Sequence, residues 1–78
     1  MTNKVDQNCI NNLDLIELYV DNNSIINNVN FMKNLKKLNA SGSLCGIDQN
    51  GINTLDLIEL DFRNNSKIND VNFMKNLR

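Results

Sequence analysis

Apolar and polar residues alternate in short stretches along the chain, and these stretches predict β-strands. Leu18 and Val20 flank Tyr19, and the same two-residue period returns over residues 60–62, as in a half-buried strand. The strands are predicted near residues 16–20, 36–40 and 58–62, pairing in parallel and in chain order. Leu18 and Leu60 are expected in the core.

The period changes after the first and third of these stretches. Apolar residues then recur at every third position, namely at Ile26, Val29, Met32 and Leu35, and again at Ile68, Val71, Met74 and Leu77. This spacing is typical of a 3₁₀ or short helical return segment. The sequence therefore predicts strands that alternate with short returns.

The chain also repeats itself at a period of 42 residues. Residues 3–36 and 45–78 are identical at 23 of 34 aligned positions. Each copy divides again, because leucines recur in steps of 20, 22 and 20 residues, at Leu15, Leu35, Leu57 and Leu77. From the first three leucines the pattern reads L-x-x-L-x-(L/V/F/A)-x-x-(N/S), ending at Asn23, Ser43 and Asn65. Such periods are typical of arrays whose units are stable only when stacked.

This pattern resembles the leucine-rich repeat, whose consensus is L-x-x-L-x-L-x-x-N over about 20–29 residues. The resemblance runs from about Val5 onward. It implies an α/β solenoid of about three to three and a half coils, with a parallel three-stranded sheet on the concave side and short 3₁₀ or helical returns. Residues 1–78 would form a single domain. Its repeats would lie at approximately 15–34, 35–56 and 57–76, with partial repeats at both ends.

Two subtypes of that family are represented. Residues 23–35 are similar to the internalin-like type, and residues 45–55 to the cysteine-containing type. In the latter, Gly51 is expected to take a left-handed conformation at the end of a helical turn. Cys9 occupies the equivalent position in the first copy, so that turn is expected to be strained or looser.

Asparagine is the compositional outlier, at 18 of 78 residues. We interpret most of this excess as codon bias of an AT-rich genome, because the asparagines alternate with apolar residues at fixed offsets, unlike a low-complexity tract. The family resemblance implies a structural role for Asn23 and Asn65. Their side chains should turn inward and bond backbone groups of neighbouring coils, and Ser43 should do part of this in the middle coil.

Charge and hydropathy exclude several classes of partner. The chain has 8 basic and 9 acidic residues, so it lacks the basic face of a nucleic-acid binder. Its most apolar stretch, residues 13–20, is too short and too acidic to span a bilayer. The first residues lack the apolar core of a signal peptide, so a cytoplasmic location is expected.

Catalysis is not expected either. Without histidine, Ser-His-Asp and Cys-His arrangements are impossible, and the three glycines form no phosphate-binding loop. Cys9 and Cys45 do not correspond between the two copies, which favours inert thiols in a reducing compartment over a disulfide. Neither a metal nor a cofactor is expected.

Outward positions of the predicted strands form a candidate protein-binding face. We call it the strand face; it comprises Ile16, Glu17, Tyr19, Asp21, Lys37, Asn39, Ile58, Glu59, Asp61 and Arg63. Glu17, Lys37 and Glu59 share one position on successive strands, which gives a row of alternating charge. Such a row is either a solvated ladder that sets the strand register or a recognition stripe. Tyr19 is the chain's only tyrosine and a possible anchor.

The two ends of the array lead to a further expectation. Residues 77–78 match the start of a strand, and no polar capping segment is recognised at either end. Apolar residues should therefore lie uncovered, at Val5, Ile10 and Leu13 on one side and at Phe73, Met74 and Leu77 on the other. Weak self-association through these ends is the expected result.

These patterns favour a non-enzymatic module that binds another protein through the strand face. A first alternative is a structural fragment or short paralogue of a larger repeat protein, without independent activity. A second is the substrate-adaptor part of a ubiquitin ligase, suggested by the cysteine-containing subtype; no F-box-like helical segment precedes the repeats, so that role would need a further domain.

Overall fold

Three short parallel strands and two single-turn helices make up the regular structure of the described residues. The computed structural model describes residues 7–77. In chain order the elements are α1 (Gln7–Ile10), β1 (Glu17–Tyr19), β2 (Lys37–Asn39), α2 (Gln49–Ile52) and β3 (Glu59–Asp61). The two helices occupy equivalent places in the two copies of the sequence repeat, as do β1 and β3.

The strands form one sheet in the order β1-β2-β3, and both pairings are parallel. The register places Glu17 beside Lys37 and Lys37 beside Glu59. Each strand lies inside the range predicted from the alternating residues, and the parallel, in-order pairing is confirmed. The strands are only three residues long.

Hydrogen-bonded turns, rather than 3₁₀ helices, form the return segments at residues 26–35 and 68–77, whereas the return between β2 and β3 contains α2. The amide of Met32 donates to the carbonyl of Val29, and the amide of Leu35 donates to the carbonyl of Met32, each at 3.0 Å. The intervening amide of Lys33 donates instead to the carbonyl of Phe31, two residues back, at 3.0 Å. A continuous 3₁₀ segment would need successive amides to bond three residues back. The apolar residues at every third position thus bond one another in the interior, and residues 71–77 repeat the arrangement.

The core is made by the return segments as much as by the strands. Residues less than 2% exposed include Ile26, Met32, Leu35, Ile47, Ile52 and Leu57. In the sheet, Leu38 is 3% exposed, whereas Leu18 and Leu60 are only half-buried. Leu18 and Leu60, which were expected in the core, pack against it but are only partly buried. In the part of the chain that the structure describes, β2 has a strand on each side, while β1 and β3 each pair with one strand.

The exposure of apolar side chains at the two ends of the predicted array also differs from what the sequence predicts. Ile10 and Met74, expected to be uncovered, are 3% and 4% exposed because their backbone turns direct them into the core. Leu13 is 43% exposed, as expected, and Phe73 and Leu77 are half-buried against the core. Val5 lies outside the described residues. In the part of the chain described, no helix is long and apolar enough to cross a bilayer.

Left-handed backbone occurs at one equivalent position after each strand, at Asn22 (φ 57°), Gly42 (φ 97°) and Asn64 (φ 63°). Glycine is favoured at the middle position because φ 97° is strained for residues with a side chain, and a Cβ there would also displace the side chain of Asn22. Gly51 is not left-handed, contrary to the expectation; it lies within α2. It must be glycine because a Cβ would collide with the carbonyl oxygen of Asn27. Cys9 occupies the matching place in α1 with an exposed side chain and without left-handed backbone, so of the strained or looser turn expected there, no left-handed strain is present.

Asn65 follows the left-handed residue after β3 and bridges two chain segments. It is 4% exposed, and its Nδ2 donates to the carbonyls of Ala40 (2.8 Å) and Ile47 (3.0 Å). Its Oδ1 accepts from the amide of Lys67 at 3.0 Å. Asn23 is half-buried, and its Oδ1 accepts the amides of residues 25 and 26. These bonds satisfy amides that the bend after each strand would leave unpaired.

Cys45, not Ser43, fills the asparagine position in the middle segment. Its buried Sγ lies 3.5 Å from the carbonyl oxygen of Val20. In the same way, Asn65 Nδ2 donates to the carbonyl oxygen of Ala40 in the preceding segment. Ser43 is exposed, as is Leu44 at 65%. These two residues form an extension of the turn, which explains the repeat step of 22 residues and overturns the structural role expected for Ser43.

Candidate protein-binding face

The charge row along the sheet is asymmetric. Lys37 Nζ lies 3.0 Å from Glu59 Oε2, with both side chains about half exposed. The hydrogen bond to Glu59, reinforced by its charge, raises the pKa of Lys37. Glu17 instead accepts a hydrogen bond from Tyr19. The row thus contains one ion pair between β2 and β3 and one tyrosine–carboxylate contact on β1.

Tyr19 stands out from the sheet and leans along its own strand. It is 65% exposed, and its hydroxyl donates to Glu17 Oε1 at 3.1 Å. The hydrogen bond to Glu17, followed by the repulsion of its charge, raises the pKa of the phenol above 10.0. The ring therefore presents an apolar surface while its polar tip is already bonded, as is common for aromatic anchors in interfaces.

The side chains of Asn39 and Asp61 turn towards the ends of their strands. Asn39 Oδ1 accepts the amide (3.0 Å) and the hydroxyl (2.7 Å) of Ser41. Asp61 accepts the Arg63 guanidinium through both oxygens, at 3.0 and 2.8 Å, and its amide at 3.2 Å. The Arg63 hydrogen bonds lower the pKa of the Asp61 carboxyl. Both acceptors fix the bend after the strand, a role that was not predicted from the sequence.

The remaining strand-face residues differ in exposure. Ile16 is 62% exposed and Asp21 is exposed, as expected for outward positions. Ile58, the counterpart of Ile16, is only half exposed. The most exposed apolar side chains of the strand face are therefore those of Ile16, immediately before β1, and Tyr19, within it.

A shallow depression of about 270 Å³ lies on the sheet. It is lined by Tyr19, Lys37, Leu38, Asn39, Glu59, Leu60 and Asp61. Five of the predicted strand-face residues are thereby brought together, while Ile16, Glu17, Asp21, Ile58 and Arg63 lie outside its lining. The floor is apolar and the rim carries both signs of charge, which suits a side chain of a partner protein.

Gln7 and Gln49 hold the helices to the following segments, a role that was not predicted from the sequence. Gln49 Oε1 accepts the amides of Asn69 and Asp70 at 2.9 Å each, and its Nε2 donates to the Asp70 carbonyl at 2.7 Å. Gln7 makes the same three bonds to residues 27 and 28. The available signal was their identity between the two copies of the repeat.

Asparagine, aspartate and threonine side chains add further links at the same spacing. Asn34 donates to Asp14 at 2.9 Å, and Asn76 donates to Asp56 at 2.7 Å. Asn30 bonds the carbonyl of residue 50 and the amide of residue 54. Many of the asparagines therefore connect neighbouring segments, so codon bias alone does not account for their positions.

Chemistry beyond these contacts is limited within residues 7–77. No group of three or more Asp, Glu, Cys or His side chains is arranged to hold a metal ion there. Burial raises the pKa of the Cys45 thiol, which disfavours the reactive thiolate. Neither Cys45 nor the exposed Cys9 forms a disulfide.

Comparison of the chain with protein-family models, with curated proteins and with solved structures gives no match.

Proposed function

We propose that this chain is a non-enzymatic leucine-rich-repeat module that binds another protein through the strand face. The solenoid part of this proposal is supported by two observations. The strands pair in parallel and in chain order, with equivalent motif positions side by side. Side-chain hydrogen bonds also join residues that are 20–25 positions apart, about one repeat length.

The observation that carries the binding proposal is the pair of exposed apolar side chains at Ile16, just before β1, and Tyr19, which lines the depression on the sheet. Both side chains are more than 60% exposed, and the Lys37–Glu59 pair lies across the sheet from them. An exposed aromatic and an aliphatic side chain beside a charged rim are the composition of an interface core with its rim. A register-setting ladder would need the charges but not the two exposed apolar residues.

The chain offers a matched pair of variants to test this. Ile16 is 62% exposed on the strand face, and Leu44 is 65% exposed in the extended turn away from it. The chain would be immobilised as the parent, Ile16→Ser, Tyr19→Ser and Leu44→Ser, and proteins retained from native lysate would be quantified by mass spectrometry. We expect a partner that the parent and Leu44→Ser retain equally and that each strand-face variant loses by about tenfold or more, as for a truncated anchor residue.

Circular dichroism melts should show the same fold in all four proteins, because the substituted side chains are largely exposed. If no retained protein depends on Ile16 or Tyr19, the strand face is not a binding surface. The alternative of a structural fragment without independent activity would then be favoured.

A further inference from the structure

The chain contains a single asparagine that is followed by glycine, at Asn50-Gly51 in α2. An asparagine loses its side-chain amide when the nitrogen of the next residue attacks it. Glycine permits this attack most readily, because it has no side chain to obstruct the ring that forms. The equivalent pair in α1 is Asn8-Cys9, whose second residue carries a side chain. The two helices therefore differ at the position that decides this reactivity.

The reaction has two steps, and water is its only co-reactant. The amide nitrogen of Gly51 attacks Cγ of Asn50, so that an N–Cγ bond forms and the Cγ–Nδ2 bond breaks. Nδ2 leaves as ammonia, with the proton of the Gly51 amide. Water then opens the cyclic imide. Opening at Cγ gives aspartate, whereas opening at the main-chain carbonyl carbon gives isoaspartate, in which the backbone runs through Cβ and Cγ.

In the folded chain, hydrogen bonds hold the nitrogen that must attack. The Gly51 amide donates to the carbonyl of Asp48 at 3.0 Å and to Asp48 Oδ1 at 2.9 Å. Asn30 Nδ2 donates to the Asn50 carbonyl at 2.7 Å, and Asn53 Nδ2 donates to Asn50 Oδ1 at 3.3 Å. Ring closure needs rotation about the Asn50 Cα–C bond, which breaks the bonds to Asp48 and Asn30. The reaction therefore requires α2 to open first.

The same close packing leaves no room for the isoaspartate product. A Cβ on Gly51 would collide with the carbonyl oxygen of Asn27, and the Gly51 carbonyl accepts the amide of Val29 at 3.0 Å. Isoaspartate adds one carbon to the backbone between Asn50 and Gly51, a lengthening of about 1.5 Å. The bonds from Asn30 to residue 50 and from Val29 to residue 51 cannot both persist after such a change.

We propose that Asn50 is a site of spontaneous deamidation, that the hydrogen bonds of α2 suppress the reaction in the folded chain, and that isoaspartate at this position detaches α2 from residues 27–30. The modification would mark, irreversibly, each copy of the chain in which α2 has opened. α2 contributes no residue to the strand face, so the proposal does not depend on the proposed function.

The first test compares the folded with the unfolded chain. The 78-residue chain would be incubated at neutral pH with and without urea, and deamidation would be quantified at each asparagine by peptide mapping and mass spectrometry. In urea, Asn50 should react faster than Asn8. Without urea, Asn50 should react at least about tenfold more slowly than in urea, because only the open fraction reacts. Equal rates at Asn50 in the two conditions, or no preference for Asn50 over Asn8 in urea, would overturn the proposal.

Substitutions at Asp48 test the protection, with each rate divided by that of the same protein in urea. Asp48→Ala removes the side-chain acceptor of the Gly51 amide and should accelerate deamidation of Asn50 by about fivefold. Asp48→Ser supplies another helix-capping acceptor and should stay within about twofold of the parent. An unchanged or slower reaction in folded Asp48→Ala would refute the protective role. Asn30→Ala, which removes the bond to the Asn50 carbonyl, should also accelerate the reaction and serves as the test if Asp48→Ala does not fold.

The two products separate the effect of the added charge from that of the lengthened backbone. Asn50→Asp reproduces the aspartate product, and because the side chain is exposed, its melting temperature should lie within about 3 °C of the parent. The isoaspartate form, isolated by chromatography, should melt at least about 6 °C below Asn50→Asp. Its NMR shifts should differ from those of Asn50→Asp at Val29 and Asn30. An isoaspartate form that melts together with Asn50→Asp would contradict the detachment of α2.

Discussion

Tyr19 and Glu17 are two residues apart on one strand and therefore lie on the same side of the sheet. Their contact is a local one, made across the exposed surface without help from the core. The phenol donates to the carboxylate, so ionising it would both break a hydrogen bond and place two negative charges together. The protonation state of this single side chain therefore reports on the local geometry of β1.

The titration of Tyr19 tests that geometry directly. The chain has one tyrosine and no tryptophan, so absorbance at alkaline pH follows this phenol alone. We expect its pKa to lie above 10.0 and to fall in Glu17→Gln. Since the folded-state pKa is raised, the associated stabilisation is present below pH 10.0 and is lost as the pH rises through the folded-state value.

Glu59→Gln serves as the matched control, because Glu59 has the smallest of the raising effects on Tyr19. A Tyr19 pKa that falls equally in both variants would place the hydroxyl away from Glu17.

Among the elements, the central strand differs from its two neighbours. β2 pairs on both sides, so Leu38 is covered from both directions, whereas Leu18 on β1 is covered from one. We expect Leu38→Ala to lower the free energy of unfolding by about 2–5 kcal/mol, as for fully buried leucines. Leu18→Ala should cost clearly less. Urea unfolding of both variants measures the difference, and equal losses would contradict the edge position of β1.

The helices provide a second comparison at the scale of elements. Gly51 in α2 lies against the backbone of residue 27, while Cys9 at the matching place in α1 is exposed. Gly51→Ala should therefore lower the free energy of unfolding by about 1–3 kcal/mol through overpacking, although alanine is the better helix former. Cys9→Ala should change it by less than about 0.5 kcal/mol. Thermal melts of the Gly51→Ala and Cys9→Ala variants measure the two changes in stability. A stabilised Gly51→Ala variant would show that α2 is not in contact with the backbone of residue 27.

The sequence allowed the sheet to be predicted because Leu18, Leu38 and Leu60 occur at one position of a repeated motif, and that position fixes the register. It could not distinguish the two reasons for a glycine. Gly51 is needed for a close approach and Gly42 for a left-handed backbone, and both requirements leave the same letter in the sequence. The role of Cys45 was hidden by the two-residue extension before it, which displaced the motif alignment onto Ser43.

The candidate face was only partly predictable for a related reason. Alternation along a strand identifies which side chains point outward, and Tyr19, Lys37 and Glu59 were found in this way. Alternation does not determine whether an outward side chain stays free for a partner or bonds a neighbouring part of its own chain. Asn39 and Asp61 bend along the strand to bond the following turn, a choice made by local geometry within two residues.

At the scale of the molecule, protection of the backbone should follow the order of the strands. The amide of Ala40 donates to the carbonyl of Asp61 at 2.8 Å, between β2 and β3. The amide of Val20 donates to the carbonyl of Asn39 at 2.9 Å, between β1 and β2. The Phe62 and Asn64 amides have no such partner in the described chain. We expect hydrogen exchange, followed by NMR, to be slowest at Ala40 and Val20 and fast at the two edge amides. Uniform exchange across all four would contradict the pairing.

The open order of the sheet has a mechanical consequence. β1 contacts β2 and β2 contacts β3, while the described β1 and β3 do not touch, and the molecule measures 38 Å along its longest axis. A force that pulls the two termini apart would therefore act on the β1–β2 pairing and on the β2–β3 pairing in series, and each pairing would carry the full tension. Breaking one of these strand pairings would leave the other intact, so the protein should lengthen in separate steps under tension.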